Sequence, residues 1–163
     1  MTSTAALTTD ATVRELLDRE NVRSAFRFFE SRADEITEEQ VRICSIPAPP
    51  FGEAVRAGYL RERLIENGLS EAYLDDEGNC VALRRGTTLS PLLVVSAHLD
   101  TVFPPGTDCA VRRDQGKLFA PGIADDGCGL VALLALAGAL RASAIETEGS
   151  LLFVGTVGEE GEG

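Results

Sequence analysis

The sequence predicts an α/β fold, a three-layer α/β/α arrangement with a mostly parallel sheet. Two short apolar runs, residues 92–95 (Leu-Leu-Val-Val) and 151–154 (Leu-Leu-Phe-Val), have the pattern of strands buried on both faces. Between them, residues 130–142 form a helical run that is apolar almost all round. A strand, a long crossover with a helix and a second strand make a parallel pair with a right-handed connection.

The first part of the chain is predicted to be helical. A short helix carries Val13, Leu16 and Leu17, and a second helix opens at Asn21. Residues 37–40 (Thr-Glu-Glu-Gln) resemble a capping box that begins a further short helix, which ends before a Pro-rich connector at residues 47–50. The second helix has an apolar face with the three- and four-residue spacing of a helix. Its members are Val22, Ala25, Phe26, Phe29, Ala33 and Ile36.

A further helix and two hairpins follow the connector. The helix runs from Glu53 to residues 67–68 (Asn-Gly), where glycine can adopt the left-handed cap conformation. Strands at residues 72–75 and 80–84 flank a turn of hairpin composition, and a second small hairpin turns at residues 114–117. The residues predicted to face inward from the helix are Val55, Tyr59, Leu60 and Leu64.

Length and charge limit the classes of protein. At 163 residues the chain is long enough for one ordinary domain with a sizeable core and too short for two. Fifteen basic against 26 acidic residues leave a net charge of −11, and no run of Lys or Arg exceeds a pair. Such a surface repels a phosphate backbone, so the composition argues against nucleic acid as a partner.

The sequence also predicts a cytoplasmic protein that does not enter the membrane. Residues 1–10 lack the basic start and the continuous apolar stretch of a secretory signal. The longest apolar stretch, residues 130–140, falls short of the ~20 residues that a spanning helix needs. The cysteines are scattered without a Cys-x-x-Cys pair, which indicates reduced, mostly buried thiols. They are Cys44, Cys80, Cys109 and Cys128.

Three short motifs place imidazole and carboxylate groups at the ends of predicted elements. They are residues 96–100 (Ser-Ala-His-Leu-Asp), 122–127 (Gly-Ile-Ala-Asp-Asp-Gly) and 158–161 (Gly-Glu-Glu-Gly). In open α/β sheets, ligands bind beyond the carboxyl ends of the strands. A neutral imidazole with carboxylates suits Zn²⁺, and Mn²⁺ or Co²⁺ where oxygen ligands dominate. The motifs therefore predict a metal-dependent hydrolytic site.

The spacing within the motifs indicates roles for individual residues. Asp100 lies two residues beyond His98, so in a strand it points to the same side and can bind the ring nitrogen that does not bind metal. Glu159 and Glu160 diverge at a strand end. One of them can bind a metal ion while the other faces the activated water as a general base.

These ordered motifs make the chain resemble the N-terminal part of a metallopeptidase family 20 enzyme. That family includes peptidase T, carboxypeptidase G, aminoacylase and acetylornithine deacetylase. The resemblance extends from residues 28–32 (Phe-Phe-Glu-Ser-Arg) through 76–79 (Asp-Glu-Gly-Asn) to 159–161 (Glu-Glu-Gly). It implies a zinc-peptidase-like catalytic domain that hydrolyses peptide or N-acyl amino acid amide bonds with a water activated by two zinc ions.

The resemblance also implies a role for each matching residue. His98 would bind one metal ion, Asp125 would bridge the two ions, and Glu160 would bind the other. Glu159 would be the general base, and Asp100 would orient His98. The substrate would be a small peptide or an N-acyl amino acid.

The resemblance further implies that residues 1–163 are the N-terminal portion of the catalytic domain, truncated at the C-terminus. Another acidic ligand, a second metal-binding histidine and a lid or dimerisation domain would follow Gly163, and the complete protein could form a homodimer. Many members have Lys after the acidic pair of the second motif, where this chain has Gly127.

Other interpretations of the same residues stay open. An aspartate before an apolar helix often caps it, which suits Asp126 better than Asp125. Glu159, Glu160 and Glu162 could form a solvated acidic tail. The aminopeptidases of family 28 share a related motif order, although the helical first 45 residues and the Pro-rich connector favour family 20. A non-catalytic remnant or interaction module that binds metal poorly is the remaining alternative.

Overall fold

A computed structural model describes residues 9–161 of the chain. Residues 1–8, 162 and 163 lie outside the described part. Three predictions fall on these residues: the absence of an N-terminal signal, the chain end at Gly163 and the part of the acidic tail at Glu162. The helices of the described part are α1 (Thr9–Asp18), α2 (Glu20–Ser31), α3 (Ala33–Cys44), α4 (Ala54–Glu66) and α5 (Gly127–Ala142). Its strands are β1 (Tyr73–Leu74), β2 (Cys80–Arg84), β3 (Leu92–His98), β4 (Arg112–Asp114), β5 (Lys117–Phe119) and β6 (Ser150–Thr156).

The main sheet has the strand order β1-β2-β6-β3. Strands β3 and β6 are parallel and joined through α5, which confirms the predicted crossover and the α/β class. Strand β2 pairs antiparallel with both β1 and β6, and β4 with β5, so both predicted hairpins are present. In the parallel pair His98 lies opposite Thr156, so the segments after both strands emerge at the same edge of the sheet.

The core of the described part lies between one face of the main sheet and the helices. Helix α4 packs on β1 and β2, α5 packs on β3, and α2 and α3 pack on α5. Buried residues from the sheet, including Ala82 and Phe153, join buried leucines of α4 and α5 in one cluster. Residues on the opposite face of β6, Leu152 and Val154, are half-buried. Among the described helices none is both long and apolar enough to cross a bilayer.

Helix α2 differs from the prediction at one residue of its inward face, and α3 differs in the residue at which it begins. Phe26, predicted to face inward, is largely exposed, and Phe28 instead lies over Gly138 of α5. The predicted capping box at Thr37 is wrong, because α3 already begins at Ala33. The Thr37 hydroxyl donates to the carbonyl oxygen of Ala33 at 2.8 Å, the bond that threonine makes inside a helix.

In helix α4 the predicted Leu60 and Leu64 are buried, but the prediction for Val55 is wrong. Val55, predicted to face inward, is 71% exposed, whereas the neighbouring Arg56 is 1% exposed. The Arg56 guanidinium compensates for its burial by donating to the carbonyl oxygens of Ile46 and Leu99. The predicted left-handed cap after this helix is confirmed by Gly68, whose φ is +94°.

Strand β3 is less buried than its apolar sequence predicts. Leu92, Leu93 and Val94 are 52–59% exposed. Within the described residues β3 pairs with β6 alone and forms an edge of the sheet. The prediction of a strand buried on both faces is therefore wrong for this half of β3, while Ala97 near its carboxyl end is buried.

The buried carboxylate of Glu39 joins α3 to α4. One of its oxygens accepts from the Tyr59 hydroxyl at 2.7 Å and from Arg63 Nε at 2.8 Å, and the other accepts from Arg42 at 2.7 Å. Burial alone raises the pKa of Glu39, but the hydrogen bonds and charges of the arginines, together with the Tyr59 hydroxyl, outweigh it and leave the pKa lowered. Glu39 therefore stabilises the fold in its ionised form.

Glycine at position 155 sets how closely α4 approaches the sheet. A methyl group on Gly155 would lie 2.4 Å from Leu60 Cδ2. We expect Gly155→Ala to lower the free energy of unfolding by about 1–3 kcal/mol, because the packed core must shift. Gly58→Ala, on α4 with nothing within 4 Å, should instead raise it by roughly 0.5–1 kcal/mol. Urea denaturation measures both, and equal effects would contradict the steric explanation.

The lowered pKa of Glu39 predicts a pH-dependent effect of its replacement. Glu39→Gln should lower the free energy of unfolding at neutral pH by about 1–3 kcal/mol, since the arginines lose a charged acceptor. The contribution of Glu39 is complete above the ordinary glutamate pKa of about 4.3 and disappears as the pH falls through the lower folded-state value. Denaturation at a series of pH values should show the difference between wild type and variant shrinking in acid.

Glu38→Gln is the matched control for this experiment. The exposed Glu38 pairs with Arg113 at 2.7 Å on the surface. Its replacement should change the free energy of unfolding by less than about 0.5 kcal/mol. A difference between wild type and Glu39→Gln that stays constant down to acid pH would mean that the charge of Glu39 does not stabilise the fold.

Candidate metal centre

His98 is the last residue of β3, and both of its ring nitrogens have acidic neighbours. Nδ1 lies 3.1 Å from the backbone carbonyl oxygen of Asp100 and 3.5 Å from Asp100 Oδ1. Nε2 lies 3.0 Å from Asp125 Oδ1. Burial lowers the pKa of His98, but the hydrogen bond to Asp125 and the charges of Asp126 and Asp100 outweigh burial and raise it. The ring therefore sits in a strongly negative environment.

The two aspartates before α5 have different surroundings. Asp126 caps the helix: its Oδ1 accepts from the Gly129 N–H at 3.0 Å, as the capping interpretation predicts. Its Oδ2 accepts from the backbone N–H of His98 at 3.2 Å, so the same carboxylate ties the helix to the end of β3. The side chain of Asp125 is 80% exposed and opens toward solvent beside the imidazole.

Gly127, at the position where many family 20 members have Lys, is crowded by Cys44. A methyl group at position 127 would lie 2.2 Å from Cys44 Sγ and 2.8 Å from the carbonyl oxygen of Gly122. Burial raises the pKa of Cys44 to about 11, so the thiol is neutral and packs as a small apolar group. No pattern in the sequence indicates that Cys44 and Gly127 lie together.

Asp100 is fully buried, and its carboxylate holds the backbone of the glutamate pair. Oδ1 accepts from the Glu159 N–H at 3.1 Å and Oδ2 from the Glu160 N–H at 2.7 Å. Toward His98, the backbone carbonyl of Asp100 is closer than the carboxylate. The anchoring of residues 159 and 160 by Asp100 is a contact that the sequence analysis did not predict.

Four consecutive backbone N–H groups, those of residues 157–160, donate to side-chain oxygens. Asn79 accepts from Val157 at 2.9 Å, and Glu53 accepts from Gly158 at 3.2 Å. Asp100 accepts the remaining two. The contacts of Asn79 and Glu53 were also missed, because they join residues 78 and 105 positions apart in the chain.

The two glutamates at the end of this segment differ in exposure. Glu159 is exposed, and Glu160 is half-buried. One oxygen of Glu160, one oxygen of Asp125 and a ring nitrogen of His98 lie within 4.8 Å of one another. The structure thus brings together the three residues that the sequence analysis named as metal ligands, with Glu159 adjacent to them in sequence.

The donor set fits a divalent cation. The carbonyl oxygen of Asp100 can only accept, so the Nδ1 that faces it carries the proton of the imidazole. In the neutral ring, Nε2 then presents a lone pair to an Asp125 oxygen that is also an acceptor, and a contact of 3.0 Å requires a proton or a cation between them. One imidazole nitrogen with carboxylate oxygens is a donor set typical of zinc.

Comparison with known proteins shows which family the chain resembles. Residues 94–163 match the sequence profile of the peptidase family M20/M25/M40. This range contains His98, Asp100, Asp125, Glu159 and Glu160. The match agrees with the predicted family 20 resemblance and favours it over the family 28 alternative.

Individual relatives and structures agree with this match. A Pyrococcus furiosus protein named as a LysW-lysine/LysW-ornithine hydrolase is 36% identical over 129 residues, which cover 77% of this chain and 36% of the relative. The chain spans about a third of the length of the curated relatives it matches.

Among solved structures, a Staphylococcus aureus tripeptidase has a TM-score of 0.66 and 27% identity, covering 78% of this chain and 37% of its own. A Bacillus subtilis protein described as a dinuclear metal-binding peptidase of the M20 family has a TM-score of 0.59, covering 80% of this chain and 36% of its own. Its identity is 17%, so this likeness concerns the fold.

Replacement of Asp100 should test its anchoring role. In Asp100→Asn only one side-chain oxygen remains to accept from two backbone N–H groups, and the amide nitrogen adds a donor in a buried position. We expect the free energy of unfolding to fall by about 1–3 kcal/mol. Asp114→Asn, at an exposed position, should change it by less than about 0.5 kcal/mol. Equal stability of the two variants in urea would contradict the anchoring role.

Proposed function

We propose that this chain, a hydrolase by ancestry that resembles the M20/M25/M40 peptidase family, forms the metal-binding part of an enzyme that cleaves peptide or N-acyl amino acid amide bonds. The observation that carries the proposal is the convergence of His98, Asp125 and Glu160 at the carboxyl end of the parallel pair β3 and β6. The proposed metal is zinc, and the oxygen-rich donor set would also suit Mn²⁺ or Co²⁺.

Each of the three ligands would have a distinct place in a dinuclear centre. His98 would hold one ion, Glu160 the other, and the exposed carboxylate of Asp125, which has two oxygens, would bridge them. A bound zinc ion supplies two kinds of chemistry, a lowered pKa of its water and polarisation of a substrate carbonyl. The dinuclear arrangement is the one that the resemblance to family 20 implies.

Glu159 would act as the general base. Its backbone N–H is held by the carboxylate of Asp100, while its own side chain is exposed to solvent. In amide hydrolysis this carboxylate would take a proton from the attacking water and deliver it to the nitrogen of the leaving amine. Asp100 would orient His98 through the contacts at Nδ1.

A small peptide or an N-acyl amino acid is the proposed substrate class. The tripeptidase and the LysW-lysine/LysW-ornithine hydrolase among the similar proteins support it. The assignment of residues 1–163 to the N-terminal portion of the catalytic domain, a cytoplasmic location and a homodimer of the complete protein belong to the same proposal.

Zinc titration with matched variants tests the proposed site. Chelator-treated wild-type chain, titrated with Zn²⁺ in a calorimeter, should bind the ion, and at 100 times the Kd the ion should stabilise the fold by about 2.7 kcal/mol. Glu160→Gln should remove this binding because a ligand loses its charge. Asp76→Asn, in the exposed turn between β1 and β2, should leave it unchanged.

Glu159→Gln separates metal binding from catalysis. It should keep the zinc affinity and lower the rate of hydrolysis of a tripeptide or N-acyl amino acid by about 10²- to 10⁴-fold in the zinc-loaded enzyme. A zinc affinity that Glu160→Gln does not change would disprove the ligand assignment. Absence of zinc binding by the wild-type chain would favour the interaction module.

A further inference from the structure

The segment that carries the glutamate pair is held from two sides. Asp100 binds the N–H groups of Glu159 and Glu160, and Glu53 binds the N–H of Gly158 at 3.2 Å. Glu53 is 4% exposed and directly precedes α4. It is absent from the group of potential metal ligands, so any effect on the ion must pass through the backbone of residues 158–160.

Glu53 also binds the backbone of a loop that contacts this segment at Gly161. The oxygen that binds Gly158 accepts from the N–H of Phe51 at 2.8 Å. Phe51 has a φ of +61°, in the left-handed region that is unfavourable for a bulky side chain. The ring of Phe51 in turn lies close to the backbone at Gly161, where a methyl group would be 3.2 Å from Cε2. One carboxylate oxygen therefore links the loop at Phe51 to Gly158, and the Phe51 ring contacts the other end of the segment at Gly161.

The buried Arg56 balances the charges of the two anchoring acids. Its guanidinium donates to the carbonyl oxygen of Leu99, next to Asp100, at 2.7 Å. Burial lowers the pKa of Arg56, and the negative charges of Asp100 and Glu53 oppose that change. A buried carboxylate is costly unless it is paired and hydrogen-bonded. Arg56 thus places a buried positive charge close to both anchoring acids.

We propose that Glu53 is a positioning residue of the metal centre. It fixes the backbone of residues 158–160 so that Glu160 can bind the ion and Glu159 can contact the water. This inference rests on the proposed function, because positioning has a chemical effect only where Glu160 binds metal. Glu53 contacts neither His98 nor Asp125 in the hydrogen bonds that the structure gives it.

Zinc affinity, measured on folded variants of the whole chain, tests the proposal. Glu53→Ala removes both hydrogen bonds, and its Kd for Zn²⁺ should rise about 10- to 100-fold, the usual effect of losing a residue that orients a metal ligand. Glu53→Gln keeps one oxygen in place for both N–H groups, so it should recover most of the affinity. Calorimetry at a temperature where circular dichroism shows each variant to be folded gives these values.

Glu39→Ala is the matched control. Glu39 is also a buried carboxylate beside α4, but its partners are Tyr59, Arg42 and Arg63 rather than residues 158–160. This variant should lower the melting temperature and leave the zinc Kd unchanged. If Glu53→Ala behaves in the same way, Glu53 has a structural role only and the proposal is overturned.

Hydrogen exchange separates this proposal from the proposed function. In the metal-free chain, Glu53→Ala should speed exchange of the N–H groups of residues 158–160, whereas Glu39→Ala should not. Unchanged exchange in Glu53→Ala would disprove the anchoring step. If Glu53→Ala does not fold, Glu53→Gln takes its place. The N–H groups of residues 158–160 should then exchange at rates between those of the wild type and those of an unprotected chain, because an amide oxygen accepts more weakly than a carboxylate. Rates equal to those of the wild type would overturn the proposal. A wild-type chain that binds no zinc would overturn the proposed function, and the positioning role with it.

Discussion

The candidate metal centre depends above all on the four backbone N–H groups of residues 157–160, each of which donates to a side-chain oxygen. Three of these hydrogen bonds end on the buried carboxylates of Glu53 and Asp100. Hydrogen bonds to an ionised acceptor are stronger than those between neutral groups. The segment therefore has little conformational freedom, and the side chains of Glu159 and Glu160 leave the backbone from fixed positions.

Anchoring through the backbone leaves the functional side chains free. A hydrogen bond to the carboxylate of Glu160 would compete with a metal ion for its lone pairs, whereas a hydrogen bond to its N–H does not. The acids of this region thus divide into two groups. Asp100 and Glu53 are buried and bind backbone, while Glu159 and Asp125 are exposed and Glu160 is half-buried beside His98. Arg56 offsets the charge of the buried group, and a cation at His98 would offset the other.

The sequence correctly predicts elements that follow from a local pattern. Its predictions are wrong where contacts between residues far apart in the chain determine which side chains are buried. Helix α5 and strand β6 were predicted because continuous apolar runs mark buried elements, and the cap at Asp126 because aspartate precedes the helix. In α4 the pattern places Leu60 and Leu64 correctly but wrongly assigns Val55 to the core. Arg56 occupies that position because its guanidinium finds the carbonyl of Leu99, 43 residues away. Apolar composition likewise could not reveal that β3 lies at an edge.

The same distinction explains which parts of the candidate site could be predicted. His98 and Glu160 lie 62 positions apart, yet a fold-level rule brings them together, because parallel strands end at the same edge and β3 and β6 pair in register up to His98 and Thr156. The order of the motifs therefore suffices to name the three residues that the structure brings together. The contacts of Glu53, Asn79 and Asp100 depend on side-chain positions to within about an ångström, since a hydrogen bond weakens steeply outside its normal range. The identity of the proposed metal ligands thus follows from short motifs, whereas their geometry depends on buried polar residues outside or at the edge of those motifs.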